Sequence, residues 1–323
     1  MRSVKDGAAK VLSVCTNAGA DEDIVLVSDD NKLEIAYAFM AAAKELGLGK
    51  AVALVMPPQS IGGQEPPQVV ARAMEKASLL VVITTHSLSQ TKTRMELTRK
   101  GARFMSLPDV RVEDLTEGLI EADFAKIAPG VHKLAGLLTK GEYFHVTTKA
   151  GCDLSFSARG IEASALDGLC HKKGDFRSLG VEANVGPVVG SVNGTIVVDG
   201  SAPLLGPLSG TITCEVKDGY VSRIYGGEDA RRLERALAAF KDPQMYLLAE
   251  FGIGMNPCAR LTGTSYISDE STVGTVHFGL GTNLSQRGNI KAAGHTDLIV
   301  QKPTIEIDGF TLMKDGDFKI DLL

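Results

Sequence analysis

The sequence predicts an α/β N-terminal domain with a mostly parallel sheet, followed by a largely antiparallel, β-rich C-terminal domain of the α+β type. Three observations support this fold class. The chain has 323 residues, which favours two domains over one core. Its first part alternates β-branched runs with helical stretches, and its second part is rich in glycine and short alternating segments. We therefore expect an α/β domain at residues 1–140 and a metal-binding catalytic domain at residues 141–323.

The N-terminal domain is predicted from a repeated strand and helix pattern. Its first strand, IVLVSDD, is followed by a helix expected at Lys32 to Leu46 and by the strand AVALVMP. The later strands LLVVITT and ARFMSLP alternate with helices expected at Pro67 to Lys76 and Gln90 to Lys100. This rhythm indicates parallel strands covered by helices. No GxGxxG or GxxxxGK[ST] motif follows a strand, so a nucleotide-binding loop is not indicated.

The second domain is predicted from a change in pattern after a long helical stretch. That stretch runs from about Glu113 to Thr139, and we expect a break at Pro129 and Gly130. Segments such as EYFHVTTKA and GTITCEVKDGYVSRIYGG then read as short antiparallel strands joined by turns. One helix, from Ala230 to Phe240, is expected among them.

Composition narrows the range of partners and locations. The net charge is −5 and the sequence has no basic block that could bind the phosphates of a nucleic acid. A small substrate is therefore favoured. The five cysteines have no CxxC spacing, which predicts reduced thiols and a cytoplasmic location. No long apolar segment indicates a signal peptide or a membrane span.

Four potential metal ligands follow one another late in the chain: Glu250, His277, His295 and Asp297. Residues two apart in a strand face the same side, so the HTD segment can present His295 and Asp297 to one cation. His277 lies in the apolar run TVHFGLG and Glu250 in LLAEFGIG, where an unpaired polar group is costly. His277 as a core histidine with its hydrogen bonds satisfied, and Glu250 paired with an arginine, stay open as alternatives. As a cluster, the four indicate a site that binds a divalent metal and activates water.

An earlier carboxylate, Glu182, lies between apolar neighbours in SLGVEANVGPVVG, ahead of a strand. On the residues alone, it is either an ordinary carboxylate at a strand edge or a functional one.

At these residues the chain resembles the aminopeptidase T family of metallopeptidases. The matching stretches are TTHSLSQTKTR, AGCDLSFSARG, LGVEANVGPVVGSVNGTIVVDGS, EFGIGMNP, SDESTVGTVHFGLGTN and HTDLIVQKPTIEIDG. The resemblance implies a homodimer with two divalent metal ions, Zn, Co or Mn, in each chain. It also implies that their ligands are Glu182, Glu250, His277, His295 and Asp297.

The same resemblance implies a hydrolase, namely a metalloprotease of the aminopeptidase type that cleaves the N-terminal amide bond of a small peptide. Glu250 would bridge the metals, and Glu182 would act as the catalytic base that takes the proton of a metal-bound water. One departure concerns Leu284: the resembled peptidases carry a tyrosine near this place, whereas this chain reads GLGTNLSQ. Another hydrogen-bond donor would then have to stabilise the oxyanion, or the reaction differs from peptide hydrolysis.

A more distant resemblance, to the family of 2,5-dihydroxypyridine 5,6-dioxygenases, implies an alternative function. It implies a mononuclear non-heme iron and ring cleavage by oxygen at His295, Asp297 and either Glu250 or His277. That family has a histidine where this chain has Glu250. Because all five peptidase ligand types are present, the sequence favours the hydrolase, with the dioxygenase and an inactive metal-binding relative as alternatives.

Overall fold

The computed structural model describes residues 2–284 and 288–322. Its α-helices are α1 (Val4–Lys10), α2 (Leu33–Glu45), α3 (Gln68–Met74), α4 (Lys92–Arg99), α5 (Val112–Thr116), α6 (Phe124–Lys140), α7 (Glu228–Ala239) and α8 (Tyr266–Ser271). Its strands are β1 (Ile24–Asp29), β2 (Ala51–Met56), β3 (Leu79–Ile83), β4 (Arg103–Ser106), β5 (Tyr143–Thr147), β6 (Asp153–Ser157), β7 (Ser164–Leu166), β8 (Phe176–Ser178), β9 (Glu182–Val185), β10 (Asn193–Val198), β11 (Ile212–Lys217), β12 (Tyr220–Tyr225), β13 (Leu248–Gly254), β14 (Thr275–Gly281), β15 (His295–Gln301), β16 (Thr304–Ile307), β17 (Phe310–Lys314) and β18 (Asp317–Phe318). Among the described residues, we find no helix with the length and apolar character needed to cross a membrane.

A parallel sheet organises the first part of the chain. Its strand order is β2-β1-β3-β4-β8, and each neighbouring pair is parallel. The strands β1 and β3 are fully buried because they are short apolar runs covered on both faces. This sheet confirms the α/β half of the predicted fold class.

Two antiparallel sheets make up the second part. The larger has the order β12-β11-β10-β6-β5-β16-β17-β18, and the smaller has the order β15-β14-β13-β9-β7. Phe156 of the larger sheet lies 5.2 Å, between ring centroids, from Phe251 of the smaller sheet, and Phe251 lies 5.6 Å from Phe278. An apolar core therefore covers one face of the smaller sheet, and the β-rich half of the predicted fold class is confirmed.

The chain forms two compact units whose segments alternate along the sequence. The first unit contains the described residues up to Ala128 together with Leu166–Gly180 and Ser265–Ile267. The second contains Pro129–Ala165, Val181–Thr264 and the described residues from Ser268 onward. Division of the chain into domains at residues 140 and 141 stays a prediction.

The helix break predicted at Pro129 and Gly130 is wrong. Helix α6 continues through Pro129 from Phe124 to Lys140, and the interruption comes earlier, after α5 ends at Thr116. A side chain at Gly130 would overlap the carbonyl oxygen of Leu322, so the helix packs closely against the end of the described chain. Packing of this kind stabilises the helix, whereas proline removes only one backbone hydrogen bond from it.

Candidate metal centre

One face of the smaller antiparallel sheet carries a cluster of ionisable side chains. On the central strands, His277 of β14 lies opposite Gly252 of β13, and Gly279 of β14 lies opposite Glu250 on one side and Asp297 on the other. Residues opposite each other in a sheet, and residues two apart in a strand, share a face. The strand register therefore brings the side chains of Glu250, His277 and Asp297 together.

Two glycines make room for the imidazole rings on this face. A Cβ atom at Gly252 would overlap Nε2 of His277. A Cβ atom at Gly279 would lie 2.7 Å from Cε1 of His295 and 2.8 Å from Cβ of Glu250. Each ring therefore occupies the space above a backbone that has no side chain.

The carboxylate of Glu250 lies between the two imidazoles. Its Oε1 is 3.8 Å from Nε2 of His277, and its Oε2 is 3.3 Å from Nε2 of His295. Nε2 of His277 is also 3.2 Å from Oε2 of Glu182, and Nε2 of His295 is 3.4 Å from Oδ1 of Asp297. All five residues predicted from the sequence thus lie in one cluster, while their roles as ligands stay a prediction.

The far nitrogen of His295 is fixed by the backbone. Nδ1 of His295 lies 3.0 Å from the carbonyl oxygen of Thr282. A carbonyl only accepts hydrogen bonds, so Nδ1 donates its proton to Thr282, and Nε2 is the nitrogen that would bind a metal ion. The second imidazole differs, because Nδ1 of His277 is buried without a hydrogen-bond partner in the described part of the chain.

A sixth side chain in the cluster, Glu270, was not singled out by sequence reasoning. It projects from α8, and its carboxyl group hydrogen-bonds Asp297. The helix comes this close because Gly254 lacks a side chain: a Cβ atom there would lie 2.8 Å from the carbonyl oxygen of Glu270. The sequence signal was weak, since the DES triplet of SDESTVG looks like a solvated turn.

Burial and mutual charge displace the pKa values of this cluster. Burial raises the pKa of Glu182 to about 7 and raises the pKa of Glu270 well above its usual range. Burial alone would lower the pKa of His277, but the charges of Glu182 and neighbouring carboxylates raise it to about 9. At Asp297, burial alone would raise the pKa, but the charge of His295 and its hydrogen bond lower the pKa below its usual range. The cluster therefore favours positive charge, which a bound divalent cation would supply.

The donor set fits a divalent cation. Ligand atoms lie within 4.8 Å of one another in three groups: Glu182 with Glu250 and His277, Glu250 with His295 and Asp297, and Glu270 with His277 and Asp297. Each group offers one imidazole nitrogen and two carboxylate oxygens, a combination that suits Fe²⁺, Mn²⁺ or Zn²⁺. Oε2 of Glu182 is buried and has no hydrogen-bond partner among the residues that the structure describes, which also agrees with a cation at this place.

Comparisons with known proteins relate this chain to dioxygenases. The family model of 2,5-dihydroxypyridine 5,6-dioxygenase (NicX) matches residues 4–320. The enzyme of that name from Pseudomonas putida strain KT2440 is 25% identical over 262 residues, which cover 76% of this chain and 72% of the relative.

Two solved structures share the fold. The structure of the dioxygenase from Pseudomonas putida KT2440 has a TM-score of 0.83 and 21% identity, covering 98% of this chain and 97% of that one. Wild-type AmpT from Thermus thermophilus has a TM-score of 0.69 and 14% identity, covering 98% and 99%. At these identities, both show the fold alone.

The comparisons correct the function favoured by the sequence. Hydrolase, aminopeptidase and metalloprotease were the wrong descriptions, because the matching family and the curated relative are both dioxygenases. The more distant of the two resemblances was the better guide. The five ligand types misled because the same buried donors suit more than one kind of metal chemistry.

Proposed function

The chain belongs to the 2,5-dihydroxypyridine 5,6-dioxygenase (NicX) family, and on this premise we propose that it is a metal-dependent dioxygenase that opens a hydroxylated aromatic ring. The observation that carries the proposal is the buried group of Glu250, His295 and Asp297 on one face of the sheet. The proposed substrate class is a small hydroxylated nitrogen heterocycle, by analogy with the curated relative.

In this proposal, Glu250, His295 and Asp297 hold the cation. When bound, the cation supplies a centre at which a ring hydroxyl and O₂ are brought together for oxidation. His295 keeps its orientation because the carbonyl of Thr282 holds its far nitrogen. The ligand set has one imidazole and two carboxylates, so it is richer in oxygen than a site with two histidines and one carboxylate.

We further propose that Glu182 receives the proton of the ring hydroxyl at its Oε2 atom. That oxygen is buried, has no hydrogen-bond partner within the described ranges, and lies 3.2 Å from Nε2 of His277. A substrate hydroxyl would donate into it. Burial of the surrounding carboxylates keeps bulk water from competing for the same position.

We also propose that the centre can take a second divalent cation. Asp297 belongs to two of the three donor groups, one with Glu250 and His295 and one with Glu270 and His277. A second ion in the group with Glu270 would leave Oε2 of Glu182 available to the substrate proton. Four carboxyl groups surround two imidazoles in this cluster, which provides more oxygen donors than one cation with a three-residue ligand set uses. Metal analysis tests this count: we expect about two ions per chain, falling to about one in His277→Ala. One ion per chain in both proteins would contradict the second site.

Oxygen uptake tests the function. The protein would be purified without oxygen, loaded separately with Fe²⁺, Mn²⁺, Co²⁺ or Zn²⁺, and mixed with 2,5-dihydroxypyridine in an oxygen-electrode cell. We expect uptake with a redox-active metal and, with ¹⁸O₂, two labelled oxygen atoms in the product.

Two variants control this experiment. His295→Ala should lose both the metal and the uptake, whereas Glu306→Gln, a half-exposed carboxylate on β16, should keep both. A metal-loaded protein that consumes no oxygen, or that releases the amine from Leu-anilide instead, would contradict the proposal.

A further inference from the structure

We propose that Asn184 is a substrate-recognition residue of this centre, whose side-chain oxygen accepts a hydrogen bond from a hydroxyl or ring N–H of the substrate. The inference rests on the proposed function, because it assigns a recognition role within the same site.

The strand register places Asn184 beside the cation ligands. Asn184 follows Glu182 by two residues on β9, so both side chains lie on the same face of the sheet. Its partner across the strand pair is Gly252, the glycine over which the ring of His277 lies. Asn184 therefore lies on the sheet face that carries the cation cluster, next to the position of His277.

One end of the Asn184 amide is already engaged. Its Nδ2 donates a hydrogen bond of 2.7 Å to Oε1 of Glu182. A carboxylate accepts hydrogen bonds, so this contact decides which end of the amide faces Glu182. The same contact orients Glu182, whose other oxygen faces His277.

The other end of the amide is unsatisfied. The Oδ1 atom of Asn184 is buried and has no hydrogen-bond partner among residues 2–284 and 288–322, and the residue is only 4% exposed. Buried polar atoms nearly always have a partner, because an unpaired one loses its contact with water without replacement. Within the described part of the chain, no group donates to this oxygen, so a bound ligand with an O–H or N–H group would complete its hydrogen bonding.

The ligand class follows from this chemistry. The acceptor requires an O–H or N–H group, and the proposed ring substrates carry such groups on their rim. A site built to accept a substrate hydrogen bond discriminates against an analogue without the donor, because the buried acceptor then stays unpaired. Asn184 is thus expected to determine specificity while the cation ligands determine reactivity.

Binding measurements test the inference without turnover. The whole protein, loaded with Mn²⁺ under argon, would be titrated by calorimetry with 2,5-dihydroxypyridine, 2-hydroxypyridine and 3-hydroxypyridine. The last two each lack one hydroxyl. We expect wild type to bind the dihydroxy ring about tenfold or more tightly than one of the two analogues. In Asn184→Leu, which fills the space without polar atoms, that ratio should fall to about two.

Controls separate the possible failures. Asn193→Ala, an exposed asparagine on β10, should keep the wild-type ratio. Asn184→Ala serves as a second variant if the leucine variant does not fold, and metal content is measured for every protein. Equal binding of all three rings by wild type, or an unchanged ratio in the variant, would overturn the role of Asn184 alone. Loss of metal in both Asn184 variants would also overturn it, since Asn184 would then support the cation. A wild-type protein that binds none of the rings would instead refute the proposed function.

Discussion

At the scale of single residues, the absence of a side chain shapes the centre as much as the ligands do. Gly252 and Gly279 alternate with the ionisable residues across the sheet, and each leaves space for one imidazole. Neither requires a left-handed backbone, so their role is to let the rings approach closely.

This role predicts the effect of Gly252→Ala. The new methyl group overlaps Nε2 of His277, so the ring has to move away from Glu182 and Glu250. We expect the affinity for the cation to fall at least about tenfold and the free energy of unfolding to fall by about 1–3 kcal/mol. Calorimetric metal titration and urea denaturation measure the two effects.

A matched glycine provides the control. A Cβ atom at Gly136 of α6 would meet no described atom within 4 Å beyond its chain neighbours and the backbone of its own helix. Gly136→Ala should therefore leave metal binding unchanged and stabilise the protein by up to about 1 kcal/mol. If both variants bind metal like wild type, the ring does not need the space over Gly252.

Asp114, in the other compact unit, predicts a pH dependence of stability. Burial raises its pKa to about 6, although the backbone N–H of Arg111 and the hydroxyl of Ser265 both donate to it at 2.8 Å. Its folded pKa is above the unfolded value, so the folded state holds this proton more tightly. Protonation of Asp114 therefore stabilises the folded state fully below about pH 4, and this stabilisation is lost as the pH rises through about 6.

The variant Asp114→Asn isolates this effect. We expect the stability of wild type relative to Asp114→Asn to decrease between pH 4 and pH 7 by an amount on the order of 3 kcal/mol. Urea denaturation at a series of pH values measures the difference. A difference that does not change with pH would show that Asp114 titrates normally.

At the scale of elements, the smaller antiparallel sheet has two faces of opposite character. Phe251 and Phe278 pair on the face that meets the apolar core, whereas Gly252 and His277 pair on the face of the cation cluster. Because strand residues alternate between faces, each central strand contributes to both the hydrophobic core and the centre. Both faces of β14 are buried, one by the apolar core and one by the cation cluster. This explains why His277 lies within the apolar run TVHFGLG.

Helix α4 offers a prediction at this scale. Thr91 is its N-cap and accepts a hydrogen bond from the backbone N–H of Arg94, at 3.1 Å. Glu65 accepts hydrogen bonds from the backbone N–H groups of Lys92 and Thr93, the first two residues of the helix. Removal of the cap in Thr91→Ala should cost about 1 kcal/mol of stability.

The control for α4 is Thr98→Ala in the same helix. The hydroxyl of Thr98 bonds back to the carbonyl oxygens of Arg94 and Met95 in the preceding turn, and such contacts add little to helix stability. Thermal unfolding of the two variants should therefore separate them clearly. Equal stabilities would mean that Glu65 alone suffices to cap the helix.

At the scale of the whole molecule, metal binding and folding stability are coupled. The cluster gathers four carboxylates and two imidazoles, all buried or nearly so, and without a cation the carboxylates repel one another. A cation that binds only the folded chain stabilises it by about 2.7 kcal/mol at a free concentration of 100 times Kd. We expect chelation with EDTA to lower Tm and added Mn²⁺ to restore it, as measured by calorimetry. A Tm that is unaffected by both would argue against a cation in this cluster.

The sequence anticipated local patterns better than long-range contacts. Alternating and β-branched runs predicted the strands, and the HTD spacing predicted that His295 and Asp297 face one way. Glu270 and Asn184 escaped notice because their positions depend on strand pairing and on the approach of α8 to Gly254, neither of which leaves a local signature. The chemistry was misjudged for a related reason: residue types identify a metal site more readily than the reaction it supports.

The space above Gly252 and Gly279, which the two imidazole rings occupy, also gives a rule for judging other chains of this fold. The HxD spacing of His295 and Asp297 is short and arises by chance in many proteins, but the two glycines lie on different strands and serve no turn. A chain that keeps the HxD spacing but has larger residues at both glycine positions cannot seat its imidazoles as this one does. Such a chain should be expected to have lost the centre while keeping the fold.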